Sequence, residues 1–360
     1  MTATGSIPFG ASKCLRYNLN TLLEAGTKTL LAGADTRVSD IDAYVRWLRD
    51  SNQDVYEAAG TYWRPYQHGL IPASLKPEPI KLNDEQEQEL LRKSNALFLR
   101  YFTRTFETPT PFWYTACHEY GPKNLKAKTR TQVQKAYRAC RVERILPSWL
   151  SENGYGCYVA AIAKYRNTRP DPKSKFEGEC LGSVGGPFDF WGVFVGDQLA
   201  GYVKYFVGTD YVAGLEMKLD PQYLSLNPSS ALQDTILTFY VASQGKTVYV
   251  GFRSLLHDTN IHDFLMRFGY RRVYCDFRLV YRRSLRGVVN LLYSLRKVAD
   301  YIPDSTWGNR IHSLLRQEGI RRSFELNGNS SETVGDEADV HDRFAVARRS
   351  KISLTSIDKP

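Results

Sequence analysis

His257 and Asp258 stand side by side in the stretch joining a β-branched and aromatic run, Thr247 to Val250, to an apolar-periodic segment that begins at Ile261. Histidine titrates nearest neutrality, so His257 is suited to exchanging a proton. Asp258 is equally a helix-capping residue type, and a loop histidine beside a cap is the plainer account of the same pair. Lys126, Lys128, Arg130 and Lys135 share one helical pattern, where they either face a phosphate or solvate the helix. Gly182-Ser183-Val184-Gly185-Gly186 lacks the spacing and the preceding strand of a phosphate cradle, and reads as a linker or flap. His118 and His262 read as structural, and no nucleophile elbow supports a Ser-His-Asp set. The six cysteines (Cys14, Cys117, Cys140, Cys157, Cys180, Cys275) show neither CxxC nor Cys/His ligand spacing. Reduced thiols and no metal site are expected.

The elements that must position these residues are clearest toward the C-terminal side. Trp191 to Phe206 is two apolar runs joined by a Gly-Asp turn, a hairpin signal. Gly214 to Leu219 is a third strand, closed by Asp220-Pro221. Ser230 to Ala242 carries Leu232, Ile236, Leu237 and Tyr240 on one helical stripe. Thr247 to Val250 is a buried strand, and a helix through Ile261, Phe264, Leu265 and Phe268 ends at Gly269, where a left-handed residue is required. Val273, Cys275, Phe277, Leu279 and Tyr281 then alternate as a half-exposed strand. Upstream, Phe112 to Cys117 suits a first strand and Leu125 to Arg138 a basic helix. Gly154 to Tyr165 is a helix or a strand.

This order, β-β-β-α-β-α-β from Trp191 onward, with the phrase Phe264-Leu265-Met266-Arg267-Phe268-Gly269-Tyr270, resembles the second half of the Gcn5-related N-acetyltransferase (GNAT) fold. The aromatic strand followed by a basic helix is similar to the entry to the acceptor half of the Fem-type transferases, which share that fold. The resemblance covers roughly Phe112 to Tyr281. It implies an α/β (α+β) acyl-CoA N-acyltransferase fold: a mixed central sheet with helices on both faces, plus helical N- and C-terminal extensions.

It also implies that the strand before the central helix parts from its neighbour and holds the donor. On this pattern Glu216 is the candidate base, beside His257 and Asp258 as further catalytic candidates. Met217, Lys218, Leu219, Ser229, Ser230 and Asn260 fall at donor-binding positions. Two departures stand out. Leu224 to Ala231 lacks the glycines that let a backbone close on a pyrophosphate, which keeps an aminoacyl-tRNA donor open beside acetyl-CoA or another acyl-CoA. Leucine occupies position 265, where many members carry an acidic tyrosine; Tyr270 and Tyr274 are the nearby alternatives, as acid or as packing.

Composition agrees with a globular chain: 360 residues, 42% hydrophobic and 13% aromatic, with a formal net charge of +10. The charge suits an anionic partner such as coenzyme A or tRNA, and suits solubility as well. The start lacks a secretory signal and no run is long enough to span a membrane, so a cytoplasmic protein without an integral membrane segment is expected. Four segments follow: a helical or irregular extension over 1–104, a GNAT-like domain over 105–283, a helical appendage over 284–324 and a disordered tail over 325–360. The expected function is acyl or aminoacyl transfer to an amine or hydroxyl of a cell-envelope or polysaccharide precursor or related small acceptor. The alternative is a non-catalytic GNAT-fold module whose basic surface docks nucleic acid or anionic glycan.

Overall fold

Tyr44, Val45 and Leu48 recur at helical spacing, and the first helix, α1 (Asp40–Asp50), buries all three. The computed structural model describes residues 39–164, 168–255, 260–296 and 306–328. His257, Asp258 and most of the tail expected over 325–360 lie outside the described residues. Helix α2 (Asp84–Ser94) opens on a reciprocal cap: the Asn83 side chain accepts from the Gln86 N–H, and the Gln86 side chain accepts from the Asn83 N–H. Between these helices, in a proline-bearing stretch where the sequence reading places no element, run three short strands. They are β1 (Tyr56–Ala58), β2 (Thr61–Tyr66) and β3 (Gly69–Pro72). With β4 (Phe98–Tyr101) and β13 (Arg278–Tyr281) they form a five-stranded sheet in the order β1-β2-β3-β4-β13.

The second sheet has eight strands: β5 (Thr105–Phe106), β6 (Phe112–Cys117), β7 (Arg141–Ile145), β8 (Phe188–Val195), β9 (Gln198–Val207), β10 (Tyr211–Leu219), β11 (Thr247–Phe252) and β12 (Arg271–Cys275). Their order is β5-β12-β6-β11-β10-β9-β8-β7, with β10 and β11 parallel and every other pair antiparallel. Helices cover both faces. On one, α3 (Ala127–Ala139), α7 (Pro228–Leu237) and α8 (Ile261–Met266) bury Val133, Leu232, Ile236 and Leu265 against Val193, Val203, Val212 and Val248. On the other, α1, α4 (Pro147–Asn153), α5 (Tyr155–Ala163) and α6 (Lys173–Leu181) bury Tyr44, Leu150, Tyr158 and Phe176 against Phe190, Tyr202 and Phe206. Tyr202 and Val203 fall in opposite cores because successive strand side chains alternate. Finally α9 (Arg283–Ser294) and α10 (Thr306–Gly328) supply Val289 and Ile320 to a core with Phe98, Phe277 and Leu279.

The fold is thus the mixed α/β arrangement, with helices on both faces of a central sheet, that the resemblance implied. Three details differ from the sequence reading. The single strand read through Val273 to Tyr281 is two, β12 in the large sheet and β13 in the small one, parted at Asp276-Phe277. One edge of the large sheet is β7, where no strand is read because Arg141-Val142-Glu143-Arg144-Ile145 is so charged, a composition that suits an exposed border. The stretch 170–187, a loop by composition, holds α6, which packs through little more than Phe176 and Cys180 and so leaves a weak helical pattern. Gly269 takes φ +87 where the helix reading requires a left-handed residue.

Candidate active site

Strands β10 and β11 begin as partners, Tyr211 opposite Thr247, Val212 opposite Val248 and Ala213 opposite Tyr249. Their pairing stops there. Beyond it β10 stays on β9, as far as Leu219 opposite Gly201, while β11 stays on β6, with Phe252 opposite Tyr114. Both strands change register at the parting, β10 between Gly214 and Glu216 and β11 between Tyr249 and Phe252, and Gly251 supplies a positive φ of +70 to the second irregularity. A slot therefore opens between Gly214–Leu219 and the end of β11. The backbone groups of β10 that face it have no ladder partner on that side, as an arm able to hydrogen-bond along a strand requires.

The irregularity in β10 sets its side chains. Leu215 packs in the core under α5 and α6, and Glu216 also reaches that side, where it lines a pocket with Leu150, Tyr158, Phe176, Glu179, Cys180, Phe190, Tyr202 and Lys204. The pocket encloses about 30 Å³, room for one or two waters or a single small functional group. Lys218 Nζ lies 3.0 Å from the Glu216 carboxylate. Met217 and Leu219 turn the other way, against the core under α7.

Lys204 is the group the sequence reading missed. It is 7% exposed, donates to Ser183 Oγ at 2.8 Å, and sits 4.3 Å from the Trp47 ring centre and 4.5 Å from that of Phe188. Burial pulls its ammonium down to about 8, with the Glu216 carboxylate opposing that shift. The available signal was a lone lysine between Val203 and Tyr205 in a run otherwise apolar. Tyr202, beside it on the pocket wall, is 1% exposed and its hydroxyl has no protein partner. Glu179 stands at the rim, its carboxyl pushed up by partial burial. Burial raises the Cys180 thiol to about 12, which rules it out as a thiolate near neutrality.

The other expected residues divide. Ser229 and Ser230 do open α7, which starts from Asn227 in the left-handed region (φ 58), but the Ser230 N–H already donates to the Asn227 carbonyl at 2.9 Å. The turn before them is a 3₁₀ helix over Pro221–Leu226, so the glycine-free sequence gives a closed turn with few free amides. The residues present thus fit an extended donor arm along β10 better than a pyrophosphate at α7. Asn260 lies at the start of α8, exposed, its side chain not capping that helix. Tyr270 is a packing residue whose hydroxyl accepts from Gln233 at 2.7 Å. Lys126, Lys128, Arg130 and Lys135 are exposed on α3, across the sheet from the Glu216 pocket. No cluster of three metal-ligating side chains occurs among the described residues.

No family model matches the chain, and no curated protein does. Solved structures similar to it include the C-terminal domain of a lysylphosphatidylglycerol synthetase from Agrobacterium fabrum, at 9% identity and a TM-score of 0.47 over 71% of this chain and 91% of that one. FemX is similar at 9% identity and a TM-score of 0.44, over 68% and 92%. A tandem GNAT protein from the clavulanic acid biosynthesis pathway is similar at 11% and 0.43, over 72% and 92%.

Proposed function

We propose that this chain is an acyltransferase that moves an acyl or aminoacyl group from a thioester or tRNA ester onto an amine or hydroxyl. The acceptor is a cell-envelope or polysaccharide precursor or a related small molecule. The observation that carries this reading is the parting of β10 from β11 directly beside Glu216. The slot takes the donor's arm, and the pocket admits only the acceptor's reacting end. That end attacks the acyl carbon, and the proton it sheds goes to the Glu216 carboxylate. The bond from the acyl carbon to sulfur or oxygen then breaks, and the carrier leaves with the electron pair. Lys218, whose Nζ lies 3.0 Å from that carboxylate, holds Glu216 in position beside the slot. The Tyr202 hydroxyl is placed to hydrogen-bond the attacking group.

The donor is acetyl-CoA or another acyl-CoA, with aminoacyl-tRNA the alternative favoured by the closed turn before α7. The transferase unit is proposed to run over 105–283, between a first segment over 1–104, an appendage over 284–324 and a tail over 325–360. His257 and Asp258 are retained as catalytic proposals; Met217, Lys218, Leu219, Ser229, Ser230 and Asn260 are retained as donor contacts. No described helix is long and apolar enough to cross a membrane, and a cytoplasmic site is proposed. Unfolding in the presence of acetyl-CoA, CoA and aminoacyl-tRNA tests the reading, since a ligand at 100 times its Kd adds about 2.7 kcal/mol. Turnover with the stabilising donor is expected to fall about 10²–10⁴-fold in Glu216→Gln, with an unchanged unfolding curve. Unchanged turnover removes Glu216 as the base. No stabilisation by any donor supports the second reading, a non-catalytic docking module, which the exposed basic face of α3 favours.

A further inference from the structure

Three buried nitrogens without partners gather on the α8 side of the large sheet, just past the end of β11. They are Trp113 Nε1, His262 Nδ1 and Arg272 Nε. Trp113 on β6 is 6% exposed and His262 on α8 is 8% exposed, with their rings 5.9 Å apart. The Arg272 guanidinium carbon lies 4.6 Å from the Trp113 ring centre and that of Arg253 lies 4.7 Å from it. Arg253 also donates to the Pro111 carbonyl at 2.5 Å. Asp263, 74% exposed, lies 3.6 Å from Arg272. Burial first, then the Arg272 and Arg253 charges, hold the His262 imidazole below its ordinary range, against the weaker pull of Asp263.

A buried donor left without an acceptor costs about 1–3 kcal/mol, and a set of them around like charges is costlier still. Indole N–H and guanidinium Nε are donors only, and an imidazole with Nδ1 protonated makes a third. What complements such a set is a ligand that offers acceptors alone and carries negative charge. A tetrahedral oxyanion supplies several such oxygens and matches the guanidinium fork.

The geometry points to a binding site for a phosphate group, formed by Trp113, His262 and Arg272 with Arg253 alongside. It is separate from the Glu216 pocket, which lies on the opposite face, and it does not depend on the acyl-transfer reading. A phosphate here gives the Trp113 and Arg272 donors an acceptor and stabilises a protonated His262.

The test is a titration of the full chain, labelled with ¹⁵N-histidine, with inorganic pyrophosphate at constant ionic strength. The His262 ring signal is expected to shift saturably at millimolar pyrophosphate, and its titration midpoint to move up. Arg272→Gln is expected to weaken binding about tenfold or more, in line with a charged hydrogen bond. Trp113→Phe, which keeps the ring and deletes the donor, is expected to weaken it as well. Arg92→Gln, on the distant surface of α2, is expected to leave it unchanged. A His262 signal that stays still, an equal response to acetate, or an equal loss in Arg92→Gln overturns the site. Should Arg272→Gln fail to fold, undiminished binding in Trp113→Phe overturns it.

Discussion

Lys204 shows how one side chain sets the balance between stability and use. Its ammonium titrates at about 8 in the folded chain against an ordinary 10.5, so the folded protein binds fewer protons than the unfolded one across that window. Stability from this group therefore rises with pH from about 8 toward 10, and below 8 the full penalty of burying a charge is present. Lys204→Met is expected to stabilise the protein by about 1–3 kcal/mol at pH 7, with the gain shrinking above pH 8 in urea unfolding curves. The same substitution is expected to lower turnover, since the cation near Glu216 is lost. A variant that is less stable at pH 7 contradicts this account, and would mean that the rings of Trp47 and Phe188 more than offset the lost hydration.

At the scale of elements, the slot beside β10 depends on helix packing that reaches well beyond its two strands. Helix α1 carries Trp47 over Lys204 and is tied to the β9–β10 turn by Asp40. Asp40 accepts from the Thr209 N–H at 2.7 Å and from the Thr209 hydroxyl at 3.0 Å. Asp40→Ala is expected to cost about 1–2 kcal/mol in urea unfolding and to speed amide exchange in the turn before β10. An unchanged exchange pattern there means that α1 does not restrain the hairpin. Much of this level was legible from pattern: hairpin, third strand, central helix, the strand at Thr247 and the left-handed stop at Gly269 all follow local periodicity and turn chemistry. The misses share a cause. Edge strand β7, the strands β1–β3 and helix α6 are held by partners distant in sequence, and their own residues carry weak or mixed signals.

Across the whole molecule, chain segments far apart in sequence close the two sheets. Strand β13 follows β12 by two residues yet pairs with β4, Arg278 opposite Tyr101. That junction carries an ion pair with one buried member: Glu87, 2% exposed, accepts from the half-exposed Arg278 through Nε at 2.9 Å and Nη2 at 3.0 Å. Arg278→Ala leaves the Glu87 carboxylate buried without its cation and is expected to cost about 3 kcal/mol. Because the sheets share this covalent and ionic junction, unfolding followed at Trp63 in the small sheet and at Trp191 in the large one is expected to coincide. Two separated transitions contradict that coupling.

The sequence alone determined that Trp191 to Gly269 alternates strands and helices in a fixed order, because apolar period and glycine placement act within a few residues; the strand read through Val273 to Tyr281 is divided between the two sheets. It also placed Glu216 on a strand and Ser229-Ser230 at a helix start. A parting strand was what the resemblance implied; only the tertiary structure set it between β10 and β11 after three residue pairs, since β11 is held beyond that point by β6, which arrives from far upstream. For the same reason Lys204, an unremarked lysine in a strand, becomes a buried cation near Glu216 only when α1, α6 and β8 close around it.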